Sequence, residues 1–251
     1  MLSTVIKRFK IYGVILKNKR ILIVVAHPDD IEFRYAGSVA KWIQEGNEVE
    51  YCVATSGDKG FNSSGKESLS RKERQDIRES EQISAAKIVG VKKVHFLKFP
   101  DGELENNASL RKEIVKLIRI FKPEIVVSGD PSMNSFDSFP GYHSDHRSIA
   151  TAVFDSLYPA CGNENFFPEL ISEENLKPFT PKLAMLGNSD NADTWTDIED
   201  FFDIKMKALA CHKSQIEDIQ EIIPRIKDRS KENGKPAGLN FAESFRTLEL
   251  P

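Results

Sequence analysis

Short apolar runs alternate with longer amphipathic segments from residue 21 onward, and this rhythm constrains the fold more than any other feature of the chain. Residues 21–26 form an unbroken apolar run of strand length, as strands buried on both faces of a parallel sheet usually do. Further strands are predicted at 48–54, 94–97 and 125–128, with helices between them. The pattern predicts an α/β fold in which helices cover both faces of a mostly parallel sheet.

The helices are recognised by their ends and by their apolar faces. Ser70 followed by Glu73 is a capping box that opens a long helix, and Gly90 ends that helix. Residues 110–121 place their apolar side chains on one helical face, and a shorter helix is predicted at 39–45.

Beyond residue 158 the pattern becomes less regular. A strand is predicted at 183–186 and a helix at 198–210. Residues 224–238 are rich in Lys, Arg, Glu and Gly, so a mobile connector is predicted there, before a final segment at 241–248.

Composition excludes several classes of protein. The net charge of −3 gives no case for general binding to nucleic acid. No segment is apolar for long enough to span a membrane, and residues 11–16 are too short for a signal-peptide core. Three widely spaced cysteines argue against a disulfide framework and favour the cytoplasm. Residues 1–20 carry basic side chains and no acid, so they are predicted to form a basic N-terminal arm before a single domain at 21–251.

Each of the four predicted parallel strands is followed by an aspartate. These residues are Asp29, Asp58, Asp101 and Asp130. Ligands of open parallel sheets bind beyond the carboxyl ends of the strands. Aspartate is common in turns for other reasons, but four in succession predict a polar site at this edge.

Three of the five histidines lie in two short polar turns. His27 and Asp30 are three residues apart after the first strand, and His143 and His146 have the same spacing before a predicted helix. A catalytic zinc ion needs three protein ligands and one open position for water, and any three of these four residues could supply them. Each turn alone could equally be a capped helix N-terminus, but the presence of both favours a metal-dependent hydrolase.

Competing interpretations are weaker. A two-histidine, one-carboxylate iron site would leave the first turn unexplained, and a dinucleotide site would need a glycine-rich turn that the chain lacks. His95 lies inside a strand and is predicted to be structural, whereas the role of His212 stays open.

The two turns, residues 26–30 and 143–146, resemble the hallmark pair of the PIG-L/LmbE-like family of zinc-dependent N-acetylglucosaminyl deacetylases. The likeness runs over most of residues 21–250, through segments 29–33, 54–58, 78–82, 99–104, 167–170, 212–215 and 242–246. It implies a Rossmann-like three-layer sandwich and removal of an N-acetyl group from an N-acetylglucosamine-type substrate. The implied partner is a small acetylated aminosugar or glycoconjugate, and relatives are often homo-oligomers.

The resemblance also implies roles for the residues of the metal site. His27, Asp30 and His146 match the metal ligands, with Zn²⁺ as the first expectation and Fe²⁺ or Co²⁺ as alternatives. Asp29 matches the general base that takes a proton from the metal-bound water. Adjacent carboxylates cannot easily point the same way, so a division of tasks between Asp29 and Asp30 is chemically sensible.

Four further residues match positions around the reacting group. His143 matches the residue that steadies the tetrahedral intermediate or protonates the leaving amine, and Asp145 matches the residue that orients it. Arg78 and Asp101 match positions that contact substrate hydroxyls. A metal-dependent amidase for another amide, or a non-catalytic sugar-binding relative, remains as an alternative.

The chain departs from the family after the first turn. Many relatives have glycines where this chain has Arg34, Tyr35 and Ala36, so larger side chains are expected to reshape the rim of the pocket. Tyr142 directly precedes His143, and its role stays open, as do the exact substrate and the physiological metal.

Overall fold

The computed structural model describes residues 11–12, 17–60, 69–133 and 143–251. In these residues the chain forms one eight-stranded sheet in the order β1-β7-β8-β6-β5-β2-β3-β4. The strands are β1 (Ile11–Tyr12), β2 (Arg20–Val25), β3 (Glu48–Thr55), β4 (Lys93–Phe99), β5 (Ile125–Gly129), β6 (Leu183–Gly187), β7 (Thr194–Asp197) and β8 (Ala242–Glu249). Only β8 runs antiparallel to its neighbours, β6 and β7. The predicted mostly parallel α/β sheet is confirmed.

Helices cover both faces of the sheet. They are α1 (Asp30–Arg34), α2 (Ala36–Gln44), α3 (Arg71–Val89), α4 (Ala108–Phe121), α5 (Ser144–Asp155), α6 (Glu169–Ser172), α7 (Phe202–Leu209) and α8 (Ile219–Gly234). The predicted capping box of α3 is present, with Ser70 as the N-cap and Glu73 bonded back to it. Gly90 ends the helix in the left-handed conformation, at φ 97°.

Strand β2 shows how the three layers are built. Its side chains alternate between the two faces, since successive residues of a strand point in opposite directions. Ile21 and Ile23 pack in a core with α1, α2 and α3, whereas Leu22 and Val24 pack in a second core with α4 and α5. All four side chains are fully buried, so the apolar run predicted at 21–26 reflects a strand with no solvent-exposed face.

The order of the strands fixes the position of the functional edge. The chain moves outward from β2 through β3 to β4, and then returns to place β5 on the other side of β2. The strand order therefore reverses between β2 and β5. In open α/β sheets, ligands bind in the crevice beyond the strand ends at such a reversal.

The mobile connector predicted at 224–238 is wrong. Most of this segment belongs to α8, which Asp218 caps by accepting a hydrogen bond from the amide of Gln220. Its apolar residues lie at helical spacing on one face and pack against Phe202 and Met206 of α7; they are Ile219, Ile222, Ile223 and Ile226. The charged residues that suggested a loop occupy the other faces of the helix, and Pro224 is accommodated in its second turn.

Two strands on the far side of β8 were not revealed by the sequence pattern. The four-residue β7 pairs with β8, and β1 from the basic N-terminal segment adds to β7 in parallel. The division into an arm at 1–20 and a domain at 21–251 stays a prediction. Within the described residues, no helix is long and apolar enough to cross a membrane.

Candidate metal centre

Two turns meet at the reversal of strand order. His27 follows β2 and Asp30 begins α1, whereas His146 lies in the first turn of α5, the helix that follows β5. Between His27 and Asp30 the backbone of Asp29 takes a left-handed conformation, with φ at 93°. Such a conformation is strained for a residue with a side chain, and it turns the neighbouring carboxylates in different directions.

Three side chains converge on one point, as the resemblance implies. Nδ1 of His27 lies 3.2 Å from Nε2 of His146 and 3.6 Å from Oδ2 of Asp30, and Nε2 of His146 lies 3.0 Å from Oδ1 of Asp30. Bonds of about 2.0–2.1 Å to a tetrahedral zinc ion separate the ligand atoms by roughly 3.3–3.4 Å. The spacing and chemistry of these three donors therefore fit a divalent cation.

The far side of the His27 ring supports this fit. Its Nε2 lies 3.2 Å from Oδ1 of Asp101 and 3.2 Å from Oδ2 of Asp145. Ionised carboxylates only accept hydrogen bonds, so Nε2 carries a proton and the lone pair of Nδ1 faces the other two donors. A carboxylate on the second nitrogen is the usual support of a metal-bound histidine.

Without a cation, the surroundings of His27 favour its protonated form. Burial alone would lower the pKa of His27, but hydrogen bonds to Asp101, Asp145 and Asp30 outweigh it and raise this pKa to about 11. Those partners stay ionised: burial would raise the pKa of Asp101, yet the hydrogen bond from His27 and a backbone amide lower it to about 2. A cation at this site must therefore displace a proton from His27.

His146 is held differently from His27. Nη2 of Arg34 lies 3.1 Å from Nδ1 of His146 and 3.4 Å from Oδ1 of Asp30. Because a guanidinium only donates, Nδ1 of His146 accepts in this contact. A neutral His146 that binds a cation through Nε2 carries its proton on Nδ1, so Arg34 would have to give up this contact.

Asp145 contacts His27 rather than the ring of His143. Its carboxylate also accepts hydrogen bonds from the amides of Gly102 and Leu104, at 2.7 and 3.2 Å. Among the described residues, the ring of His143 accepts a hydrogen bond from the backbone N–H of Asp145, at 3.2 Å from Nδ1. An orienting role of the Asp145 carboxylate towards His143 stays a prediction. His143 itself is exposed at the pocket, with its ring centroid 4.8 Å from that of His27.

Asp29 is not one of the three converging donors, although it lines the same cavity. Its Oδ2 lies 3.0 Å from Nη2 of Arg78, and its amide donates to Gln82 of the same helix, α3. Burial raises the pKa of Asp29 to about 6, although the charge of Arg78 acts in the opposite direction. Gly57 makes room for Arg78, since a Cβ there would lie 2.9 Å from its guanidinium carbon.

A buried polar network lies behind Asp29, and the sequence analysis did not foresee it. Glu32 accepts hydrogen bonds from Gln82, and one of its oxygens lies 3.1 Å from Nε2 of His212. Burial alone would lower the pKa of His212, but the hydrogen bond and charge of Glu32 raise it. His212 is fully buried, so it supports the turn from behind and does not enter the pocket. In the sequence, only the similarity of residues 212–215 to the family pointed to His212.

Not every predicted aspartate reaches the site. Asp58 binds side chains of α3, namely Arg71 and Gln75. Asp130 accepts hydrogen bonds from Ser132 and Ser189. Both carboxylates brace loops at the sheet edge, as aspartates in turns often do.

An open cavity of about 710 Å³ leads to the converging donors. His27, Asp30 and His146 lie at its base, and Arg78 and Asp101 line it. Its other walls include Phe33, Arg34, Gly57, Lys59, Asn188, Arg225, Ile226 and Arg229. The volume is that of a pocket for a small molecule rather than a macromolecule.

Of the three residues expected to reshape the pocket rim, one lines the cavity. Arg34 lines the cavity, but Tyr35 and Ala36 are buried in the core, where the ring of Tyr35 stacks on Phe245. His95 is structural as predicted, paired with Glu50 on the neighbouring strand. Tyr142 lies outside the described residues.

Comparison with known proteins agrees with this geometry. Diacetylchitobiose deacetylase of Thermococcus kodakarensis is 32% identical over 234 residues, which cover 91% of this chain and 82% of that protein. A Bacillus subtilis protein named "Probable N-acetyl-alpha-D-glucosaminyl L-malate deacetylase 2" is 27% identical, over 84% of this chain and 90% of that protein. The structure of N,N'-diacetylchitobiose deacetylase from Pyrococcus horikoshii, in complex with an inhibitor, superposes with a TM-score of 0.84. It is 30% identical and covers 92% of this chain and 84% of that one.

The family model described as PIG-L, GlcNAc-PI de-N-acetylase, matches residues 22–157, more than half of the chain. The matched range contains both turns of the candidate metal centre. The family model, the relatives at this level of identity and the shared fold show that the chain belongs to the PIG-L family of de-N-acetylases.

Proposed function

We propose that the protein is a zinc-dependent hydrolase that removes the acetyl group from an N-acetylglucosamine-type substrate. The observation that carries the proposal is the convergence of His27, Asp30 and His146 at 3.0–3.6 Å, at the base of a cavity of small-molecule size. The names of the relatives, deacetylases of acetylated aminosugars, support the same substrate class. Two imidazoles and one carboxylate also suit Fe²⁺ or Co²⁺, so the metal itself is part of the proposal.

A bound divalent cation would supply Lewis-acid chemistry, which lowers the pKa of water to about 7 and polarises an amide carbonyl. Asp29 would accept the proton of the attacking water, because its carboxylate faces the pocket and is not one of the three converging donors. Arg78 holds that carboxylate in place. Asp101 and Asp145 keep the proton of His27 on Nε2.

His143 would stabilise the negative charge that develops on the carbonyl oxygen, or pass a proton to the leaving amine. It is the exposed histidine of the cluster, so it can reach a substrate without being a ligand. Arg78 and Asp101 would contact hydroxyl groups of the sugar ring from the cavity wall. Each of these assignments needs a variant to test it.

Acetate release from a panel of N-acetylated aminosugars and their glycosides tests the function directly. The protein is assayed after removal of metal, and again after addition of Zn²⁺, Fe²⁺ or Co²⁺. We expect release only with metal, and the free amine as the second product. No acetate from any member of the panel, with metal demonstrably bound, would overturn the proposal.

A pair of variants separates binding of the metal from the chemistry. His27→Ala is expected to lose the metal and therefore the activity. His143→Ala is expected to keep the metal but to lose turnover by on the order of 10²–10³, the usual effect of removing one donor to an oxyanion. Metal content by atomic spectroscopy and turnover are measured on both; full activity of either variant would contradict its assigned role.

A further inference from the structure

Two arginines on one face of α8 form the outer wall of the cavity. Arg225 and Arg229 are four residues apart, so their side chains lie one helical turn from each other on the same side. Both line the cavity that leads to the metal centre, and Arg34 lines its inner part. Like charges four residues apart destabilise a helix, so helix stability does not explain why the two arginines are paired here.

The other cations of the cavity already have acidic partners. Lys59 pairs with Glu103, Arg78 with Asp29, and Arg34 with Asp30. Among the residues that the structure describes, no carboxylate lies within ion-pair distance of Arg225 or Arg229. The described contact of Arg229 is to a neutral group, the side-chain oxygen of Asn188, at 2.8 Å.

The acidic groups of the cavity are committed elsewhere. Asp29 is paired with Arg78, Asp30 faces the two metal-binding histidines, and Asp101 is bonded to His27. A divalent cation at the base would add two more positive charges. The described part of the cavity therefore offers an excess of positive charge on the side of α8.

The mutual influence of the arginines agrees with this description. Burial lowers the pKa of Arg229, and the charges of Arg34 and Arg225 act in the same direction, whereas those of Tyr35 and Glu243 oppose them. The positive charges of Arg34 and Arg225 are therefore felt at Arg229, with Glu243 offsetting part of their effect. An anion placed between the guanidinium groups would relieve the remaining repulsion and form charge-assisted hydrogen bonds.

We propose that the substrate carries an oxyanion group, a carboxylate or a phosphate ester, on the part attached to the acetylated sugar, and that Arg225 and Arg229 bind this group. The inference rests on the proposed deacetylase function and adds the chemical class of the substituent. Guanidinium groups suit both oxyanions, since their paired N–H donors match two oxygens at once. The acetamide would lie at the metal centre and the anion beside α8.

The test uses two glycosides of N-acetylglucosamine that differ only in charge. The carboxymethyl glycoside carries a carboxylate, and the carbamoylmethyl glycoside carries a neutral amide of nearly the same shape. Both anomers of each are assayed for acetate release by the zinc-loaded protein, and their binding is measured by calorimetry. A 2-phosphoethyl glycoside and its 2-hydroxyethyl counterpart form a second pair, which distinguishes phosphate from carboxylate.

We expect the wild-type protein to prefer the charged member of at least one pair by on the order of tenfold to a hundredfold, in kcat/KM and in affinity, as one or two charge-assisted hydrogen bonds would give. In the double variant Arg225→Gln/Arg229→Gln this ratio is expected to fall towards one. Lys227→Gln is the control, because it removes one positive charge from an exposed position of α8 that does not line the cavity. The control is expected to keep the ratio.

The outcomes separate this inference from the function on which it rests. Equal kcat/KM and equal affinity for both members of both pairs would overturn the inference, although acetate release would uphold the deacetylase. A charge preference that survives in the double variant would also overturn it. Absence of acetate from every compound would refute the proposed function, and calorimetry would still decide whether the anion is bound through α8.

Discussion

Arg78 is the residue through which the charge state of Asp29 can be tested. Asp29 must be unprotonated to act as a base, so activity is lost as the pH falls through its pKa. Burial raises this pKa to about 6, and the guanidinium of Arg78 opposes the rise. In Arg78→Gln the opposition is lost, so the acid limb of kcat/KM is expected to move to higher pH, by about one unit or more.

Arg74→Gln is the control for this measurement. Arg74 lies one turn before Arg78 on α3, but it binds the backbone oxygens of Asp58 and Leu69 outside the cavity. A bound dication lowers the pKa of Asp29 in all three proteins, so the difference between their profiles is the quantity measured. An acid limb that stays in place in Arg78→Gln, or moves to lower pH, would contradict the role of Asp29 as the base.

Arg34 is expected to weaken metal binding. Its guanidinium contacts Nδ1 of His146 and a carboxylate oxygen of Asp30, so a cation at the site meets a positive charge close to two of its ligands. Two unit charges 4 Å apart near a protein surface interact by about 4 kcal/mol before screening. Arg34→Gln should therefore bind Zn²⁺ more tightly, by on the order of tenfold. Competition with a chromogenic chelator measures this, and an unchanged or weaker affinity would refute it.

At the scale of single residues, the sequence predicted the donor set but not its surroundings. The spacing within two short turns left four candidate ligands, and the family resemblance selected His27, Asp30 and His146 among them. The contact of Asp145 with His27, and that of Glu32 with His212 across 180 residues, depend on how distant segments pack. Neither contact leaves a pattern in the sequence near either partner.

Elements were predictable where one physical signal dominated. Strands β2, β3 and β5 were found because their apolar runs are buried, and aspartates follow their ends. Strand β4, at the edge of the sheet, is only partly buried but was also found from its apolar run. Helix α8 was missed because the abundance of charged residues outweighed its four isoleucines, whose spacing is helical. With α8 read as a connector, the two arginines on its pocket side could not be recognised either.

The paired ends of β5 and β6 provide a test of packing beside the site. Gly129 and Gly187 are register partners, but only Gly187 faces a bulky neighbour. A Cβ on Gly187 would lie 2.3 Å from the ring of Tyr35, which is buried and donates a hydrogen bond to the backbone oxygen of Ser128. Gly187→Ala is expected to lower the free energy of unfolding by about 1–3 kcal/mol, the usual cost of an overpacked core.

Gly129→Ala is the matched control for this substitution. Its Cβ would lie 3.5 Å from the Cβ of Ala150, an ordinary van der Waals contact. Chemical denaturation of both variants gives the comparison. If Gly187→Ala were as stable as Gly129→Ala, Tyr35 would not be held as tightly as its contacts indicate.

For the whole molecule, the topology explains why two motifs more than a hundred residues apart form one site. β2 and β5 are neighbours at the reversal of strand order, so the turn after β2 and the helix after β5 meet at one edge. The predicted alternation of strands and helices implied a parallel sheet but not the order of its strands. That order comes from long-range packing, and it is what brings His27 to His146.

The metal should stabilise the folded chain as a whole, because its ligands come together only in the folded state. A ligand present at about 100 times its Kd adds about 2.7 kcal/mol, which raises the Tm of a chain of this size by about 5–10 °C. We expect Zn²⁺ to raise the Tm of the metal-free protein by this amount. Because the cation must displace a proton from His27, the increase should be larger at pH 8 than at pH 6.

His27→Ala should abolish the increase, whereas His95→Ala, which breaks a histidine–glutamate pair away from the site, should retain it. A zinc-dependent rise in Tm that is the same in His27→Ala and in the wild-type protein would show that the stabilising ion binds elsewhere.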